Sequence, residues 1–218
     1  SPQGGSIGLL AHTGDETRLQ IVDVRGTTSK DLSGPNAGRV KGFSWAPDGQ
    51  DLLFDAATDS RREIWRVSAD GSGLGRFTNF TGQEPSWSPD GQRIAFASED
   101  GIYVVDRAGT NLRRLTTFSG SRPSWSPDSQ RILFLSKASG EGTAPDLWSM
   151  NADGANQKRV GVAGCWMVAW TDRPNFVLCI AGSAMSTVPA MHVLDLDLET
   201  AAGFSIVSLS EPTLSWTK

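Results

Sequence analysis

The sequence predicts an all-β fold, a β-propeller of five four-stranded blades, and three observations point to it. A motif centred on Trp-Ser-Pro-Asp-Gly recurs along the chain, each copy followed by alternating apolar residues. An alternating apolar strand recurs behind it with its own spacing. No stretch has the 3.6-residue apolar period and end caps of a long helix.

The clearest copy is Pro85-Ser86-Trp87-Ser88-Pro89-Asp90-Gly91-Gln92-Arg93-Ile94-Ala95-Phe96. Its proline presets φ at the first corner of a turn, its aspartate bonds nearby backbone, and its glycine takes the positive φ that other residues resist. The apolar alternation on either side makes the segment a hairpin. Further copies run from Trp45-Ala46-Pro47-Asp48-Gly49 into Leu52 and Phe54, and from Trp125-Ser126-Pro127-Asp128-Ser129 into Ile132 and Phe134. A worn copy runs from Trp170-Thr171-Asp172-Arg173 into Val177 and Cys179, and Trp216 stands near the end. The spacings between these tryptophans range from 38 to 46 residues. Their common position predicts packing between blades, not an aromatic ligand ring.

The second motif runs Leu19-Gln20-Ile21-Val22-Asp23, Ile64-Trp65-Arg66-Val67-Ser68, Ile102-Tyr103-Val104-Val105-Asp106, Leu147-Trp148-Ser149-Met150-Asn151 and Met191-His192-Val193-Leu194-Asp195. Alternation and β-preference make each a strand. Glycine turns such as Ala69-Asp70-Gly71 and Ala152-Asp153-Gly154 then lead to a short fourth strand, as in Arg113-Arg114-Leu115-Thr116. Ser1 to Leu9 aligns with Ser88 to Phe96, so the chain starts just after a missing tryptophan strand, and Pro212-Thr213-Leu214-Ser215-Trp216 supplies that strand. Closure of the ring by this pairing removes two open sheet edges. The predicted blades are 212–218 with 1–34, then 40–80, 83–118, 121–161 and 164–209, one domain over 1–218.

The balance of 24 acidic against 20 basic residues argues against a basic nucleic-acid face. No run approaches the roughly 18 apolar residues of a membrane span, so this segment predicts no membrane insertion. A start at Ser1-Pro2 without methionine predicts an excised mature segment. If Trp170 pairs near Val177, Cys179 pairs near Val168 and Cys165 points to the opposite face, so both cysteines read as buried thiols.

The block from Pro85 to Phe96, followed by Ile102-Tyr103-Val104-Val105-Asp106, resembles the WD40-like (PD40) repeats of TolB-like β-propellers, with strong copies over residues 43–154. That resemblance implies a bacterial, periplasmic or extracellular module that binds a protein or peptide. Similar repeats occur in the propellers of prolyl-oligopeptidase-like peptidases and in some sugar-processing lyases. TolB-like propellers usually have six blades, against five counted here.

Motifs with catalytic or ligating potential have simpler readings. Gly4-Gly5-Ser6-Ile7-Gly8 matches a nucleophile elbow by letter, but a strand follows it where that chemistry needs a helix. Gly71-Ser72-Gly73-Leu74-Gly75 opens no helix and is no phosphate loop. His192 shares the slot of Gln20, Trp65, Tyr103 and Trp148 and reads as packing. Asp195, Asp197 and Glu199 lack a calcium loop's glycine turn and read as a solvated strand face. Asp48, Asp70, Asp90, Asp128 and Asp153 read as turn caps. No catalytic residue, metal ligand or cofactor is predicted.

Both turn motifs emerge at one end of a propeller, whereas connections at the other end vary in length and charge, and variable loops on a rigid scaffold carry specificity. The predicted partner-binding residues are Arg61, Arg62, Lys137 and Glu141 on those loops, Glu84 and Arg122 at the start of the innermost strands, and His12 at a strand end. The expected function is a monomeric, non-catalytic protein- or peptide-binding sensor module of a bacterial envelope protein. The alternatives are a substrate-gating propeller of a prolyl-oligopeptidase-like peptidase and a channel-site hydrolase or lyase.

Overall fold

A computed structural model describes residues 1–35, 38–57, 61–137, 145–160, 165–181, 190–197 and 204–205, and among these there is no helix. The first sheet holds β1 (Ser6–Thr13), β2 (Glu16–Asp23) and β3 (Ser29–Asp31). The second holds β4 (Arg39–Trp45), β5 (Asp51–Ala57), β6 (Arg62–Ser68) and β7 (Gly75–Arg76). The third holds β8 (Gln83–Trp87), β9 (Arg93–Ser98), β10 (Gly101–Asp106) and β11 (Arg113–Arg114). The fourth holds β12 (Ser121–Trp125), β13 (Arg131–Ser136), β14 (Asp146–Asn151) and β15 (Lys158–Arg159). The fifth holds β16 (Cys165–Trp170), β17 (Phe176–Ala181), β18 (Ala190–Asp195) and β19 (Phe204–Ser205). Every pairing is antiparallel between sequence neighbours, so each sheet is a meander. The first sheet lacks an innermost strand among the described residues; Pro212 to Trp216, expected to supply it, lies outside them.

Alternation along each second strand explains how sheets stack. Leu52, Phe54 and Ala56 of β5 join a cluster with Leu19 and Leu32 of the first sheet, while Leu53 joins Trp87, Ile94 and Phe96 of the third. Ile132 and Phe134 of β13 likewise pack against Ala95 and Ala97 behind them, and Leu133 and Leu135 pack against Val177 and Cys179 ahead. Both faces of the second, third and fourth sheets are therefore buried against neighbours, which is why their strands read as nearly continuous apolar runs. The motif tryptophans lie in these seams: Trp87 and Trp125 are buried, and the Trp125 and Trp170 indoles donate to Ser86 O and Ser124 O of the preceding sheet, at 3.1 and 3.2 Å. Cross-strand stacks of Phe54 on Trp65, Phe96 on Tyr103 and Phe134 on Trp148 repeat from sheet to sheet.

Two readings of the fifth sheet need correction. Trp170 pairs with Val177 and Val168 with Cys179 as expected, but a bulge between Cys165 and Met167 sets position 165 opposite Ala181. That extra residue carries position 165 onto the face of position 179. Cys179 is disulfide-bonded, not a thiol, and the chain's other cysteine is Cys165. Asp195 and Asp197 do not alternate along one strand: β18 ends at Asp195, whose carboxylate accepts the Asp197 N–H at 2.9 Å, and Asp197 pairs with Arg131 at 2.6 Å. Glu199 lies outside the described residues.

Candidate functional site

A four-stranded meander puts its first and third turns at one end and its middle connection, with the crossing to the next sheet, at the other. At the turn end the polar groups are consumed locally. Asp48, Asp70, Asp90, Asp128 and Asp153 each accept a backbone N–H two residues on, at 2.8 to 3.1 Å. Ser88 and Ser126 add hydroxyl bonds to Asp90 and Asp128 at 2.5 Å. Ser129 adopts φ of 59° where the sister turns use Gly49 and Gly91, and its hydroxyl accepts the Asp90 N–H of the preceding sheet. Arg107 to Asp48 at 2.7 Å and Arg93 to Ser129 O at 2.9 Å tie neighbouring sheets together. The Gln50 amide and Arg107 hold the Asp48 carboxyl below its usual range.

The loop end is built differently. The β1–β2 connection belongs here, because Arg39 at the start of β4 donates to Asp15 O at 2.5 and 2.8 Å. His12, exposed two residues before that turn's Gly14, shares a 3.0 Å hydrogen bond with Thr17. Bulges open the innermost strands β8 and β12, and at each the residue before proline takes a left-handed backbone: Glu84 at φ 55° and Arg122 at φ 52°. For residues with a Cβ this conformation is strained, and such strain persists only where surrounding structure holds it. Here the Glu84 carboxylate accepts the Arg122 backbone N–H at 2.7 Å, so one strained residue anchors the other across the seam.

Arg61 and Arg62 lie beside this pair and line a cleft of about 340 Å³ with Thr81, Gly82, Gln83, Ser98 and Glu99. The Arg62 guanidinium donates to Gln83 Oε1 and lies 3.7 Å from Asp55 Oδ2. Asp55 is fully buried, and neither of its carboxylate oxygens has a hydrogen-bond partner. Burial pushes its carboxyl up to about 6; the Arg62 charge opposes the rise, the Glu84 charge adds to it, and the nearby backbone amides of Glu84 and Asp55 oppose it. Asp55 pairs with Gly42 on one side and Ile64 on the other, and a Cβ at Gly42 would sit 3.1 Å from Asp55 Oδ1. Glycine there leaves room for the carboxylate.

Of the residues predicted from sequence, the structure links Arg61, Arg62, Glu84 and Arg122 through Gln83 and Asp55. His12 and Lys137 share the loop end but belong to the first and fourth sheets, apart from that cluster, and Lys137 is exposed just beyond β13. Glu141 lies outside the described residues. Asp55 and Gln83 were not foreseen. The available signal was Asp55's slot, three residues past Leu52, where the other sheets carry Ala97, Leu135 and Ile180. A second cavity, about 400 Å³, lies between the fourth and fifth sheets, apolar except for Arg122 and Ser124. No cluster of three or more potential metal ligands occurs among the described residues. No described helix is long and apolar enough to cross a membrane.

Comparison with known proteins gives concordant results. The family model described as TolB beta propeller domain, PD40, matches residues 77–211, more than half of the chain. A solved TolB candidate from Agrobacterium tumefaciens superposes with TM-score 0.74 at 19% identity, over 93% of this chain and 77% of that one. TolB from Acinetobacter baumannii superposes with TM-score 0.71 at 18% identity, over 90% of this chain and 50% of that one. Dipeptidyl-peptidase 5 of Porphyromonas gingivalis is 37% identical over 71 residues, 29% of this chain and 10% of the peptidase. The matched segments span only 10 to 22% of the curated relatives' lengths.

Proposed function

We propose, from the premise that this chain belongs to the PD40 family of TolB β-propeller domains, that it is a non-catalytic recognition module binding a protein or peptide through its loop end. In this reading residues 1–218 form one monomeric propeller, its five blades closed by pairing of Pro212 to Trp216 with β1, within a larger bacterial envelope protein. The observation that carries the proposal is the contrast between the two ends. Turn-end carboxylates are capped by their own backbone and tied to neighbouring sheets, whereas the loop end gathers the arginine-lined cleft, buried Asp55 and the linked pair Glu84 and Arg122. A buried carboxylate compensated at 3.7 Å by a partly exposed arginine lowers stability, and such a perturbed group beside a cleft is characteristic of sites kept for binding. The disulfide at Cys179 favours an oxidising compartment, the periplasm or the cell exterior.

The test is capture of a partner from a bacterial envelope fraction by three forms of the chain with equal melting temperatures. Arg61→Glu with Lys137→Glu at the loop end should reduce capture at least tenfold, whereas Gln92→Ala with Gln130→Ala at the turn end should leave it intact. Equal capture by all three forms would refute the assignment.

The peptidase match favours a second reading, in which the propeller gates access to a catalytic domain elsewhere in the parent protein. A downstream segment of the same gene with a nucleophile elbow and later Asp and His would select that reading.

A further inference from the structure

We propose that the cleft beside Arg61 and Arg62 receives the carboxylate of a peptide, and that seating it draws Arg62 away from Asp55 so that binding takes up a proton. The inference rests on the loop-end reading and gives it a ligand chemistry.

The cleft is lined by the Arg61 and Arg62 guanidinium groups, the Thr81 and Ser98 hydroxyls, the Gln83 amide and one carboxylate, Glu99; the Ser98 hydroxyl already donates to Thr81 O at 3.0 Å, so Arg62 carries the recognition of an anion. Guanidinium forks match a carboxylate in plane and charge better than any other side chain. At 3.7 Å, Arg62 and Asp55 are a charge pair without a hydrogen bond, so the Arg62 N–H groups other than the one held by Gln83 Oε1 remain as directional donors for an incoming anion. The Arg62 side chain is 27% exposed and that of Asp55 is 0% exposed, so the arginine can turn to the cleft while the aspartate stays where it is.

Among the described residues, the charged groups facing Asp55 are few. From β6 comes Arg62, and from β8 comes Glu84, which repels it. From β4 comes Gly42, beside the exposed Lys41. On its own strand Asp55 is flanked by buried Phe54 and Ala56. Arg62 is therefore the cation that compensates it. When a bound carboxylate competes for Arg62, the buried charge loses that compensation, and a group in that position protonates instead of remaining ionised.

The sign follows. Unliganded Asp55 titrates at about 6, and loss of Arg62 raises it further, so proton uptake occurs at and above that value. Affinity rises as pH falls from 8 toward 6 and levels off below, where Asp55 is already protonated. A peptide carboxylate stays ionised throughout, since its ordinary value is about 3.5.

The experiment titrates the full chain with acetyl-tetra-alanine as the free acid and as the C-terminal amide, following the Arg Nε–H resonances by NMR and proton uptake by calorimetry in two buffers. The acid should bind about tenfold more tightly than the amide at pH 6, as expected for a charge-assisted pair, and lose up to about tenfold per pH unit above it. Asp55→Asn should remove the pH dependence and the proton uptake. Arg62→Gln should abolish the preference for the acid, and Arg62→Lys, which keeps charge without the fork, should weaken it and serves if Arg62→Gln does not fold. Equal binding of acid and amide, no binding of either, or acid binding without proton uptake would each overturn the proposal. These outcomes leave partner binding at the loop end to be decided by the Arg61 and Lys137 capture experiment.

Discussion

Replacing Asp55 by Asn tests the physical account of the site directly. The native carboxyl is held at about 6 against the ordinary 3.8. A displacement of that size corresponds to about 3 kcal/mol at roughly 1.4 kcal/mol per pH unit. Because the folded value is the higher one, the unfolded chain ionises first as pH rises, and ionisation favours the unfolded state. The penalty is absent below about pH 4, grows between there and about pH 6, and is complete above it. Asn resembles the protonated carboxyl in size and hydrogen-bonding capacity, so its own burial adds a constant that cancels between pH values. The difference in unfolding free energy, Asp55→Asn minus wild type, should therefore rise by about 3 kcal/mol from pH 4 to pH 7. Arg62, part exposed, can be hydrated once its partner is neutral, which distinguishes this change from breaking a fully buried pair. Urea unfolding of both proteins at unit pH intervals measures the effect, and the midpoint should separate by several degrees in a thermal scan at neutral pH. A difference that does not change with pH would show that Asp55 is not a penalised buried charge.

Three further outcomes are expected. Glu84→Gln keeps an acceptor for the Arg122 N–H but removes a negative charge beside Asp55, so the Asp55 titration read by carboxyl 13C NMR should move below its native midpoint with the fold intact; an unchanged midpoint would rule out their coupling. A bridge closing a loop of about 15 residues contributes about 3 kcal/mol, so reducing the Cys179 disulfide should lower the melting temperature in matched scans with and without reductant, and coincident scans would refute it. Deleting residues 212–218 should expose the edge of β1, giving a lower, broader melt and concentration-dependent association in gel filtration; an unaltered monomer would contradict closure of the ring.

The fold was legible because its information is local and repeated. Ser-Pro-Asp-Gly turns fix the hairpins, and alternation along Leu52 to Ala56, Ile94 to Ala97 and Ile132 to Leu135 distributes side chains to the two seams of each sheet. The candidate site was half legible. Variable loops marked Arg61, Arg62 and Lys137, and equivalent positions before Pro85 and Pro123 marked Glu84 and Arg122. The bulges were not legible, since one extra residue alters pairing without altering composition. That hid both the left-handed backbone at Glu84 and Arg122 and the shift of position 165 to the face of Cys179. Asp55 was missed because alternation assigns a residue to a face but does not say that its place there is fully buried.

The position of Asp55 bears on how such a site arises on a repeating scaffold. The equivalent slots of the third, fourth and fifth sheets hold Ala97, Leu135 and Ile180, all apolar. An apolar residue in the second sheet would fill the same seam without a buried charge, and stability alone favours it by the few kcal/mol that charge burial costs. Three departures from the repeat meet where the second and third sheets pack: the carboxylate at 55, the glycine at 42 that makes room for it, and the arginine at 62 that compensates it. Each alone lowers stability, as a buried charge, a flexible residue in a strand, or an ordered long side chain. Together they form one electrostatic unit bordering a cleft. Local violations of an otherwise consistent pattern concentrate at functional positions, so it is this seam, and not the more conspicuous tryptophan repeat, that supports the proposed binding role of the loop end.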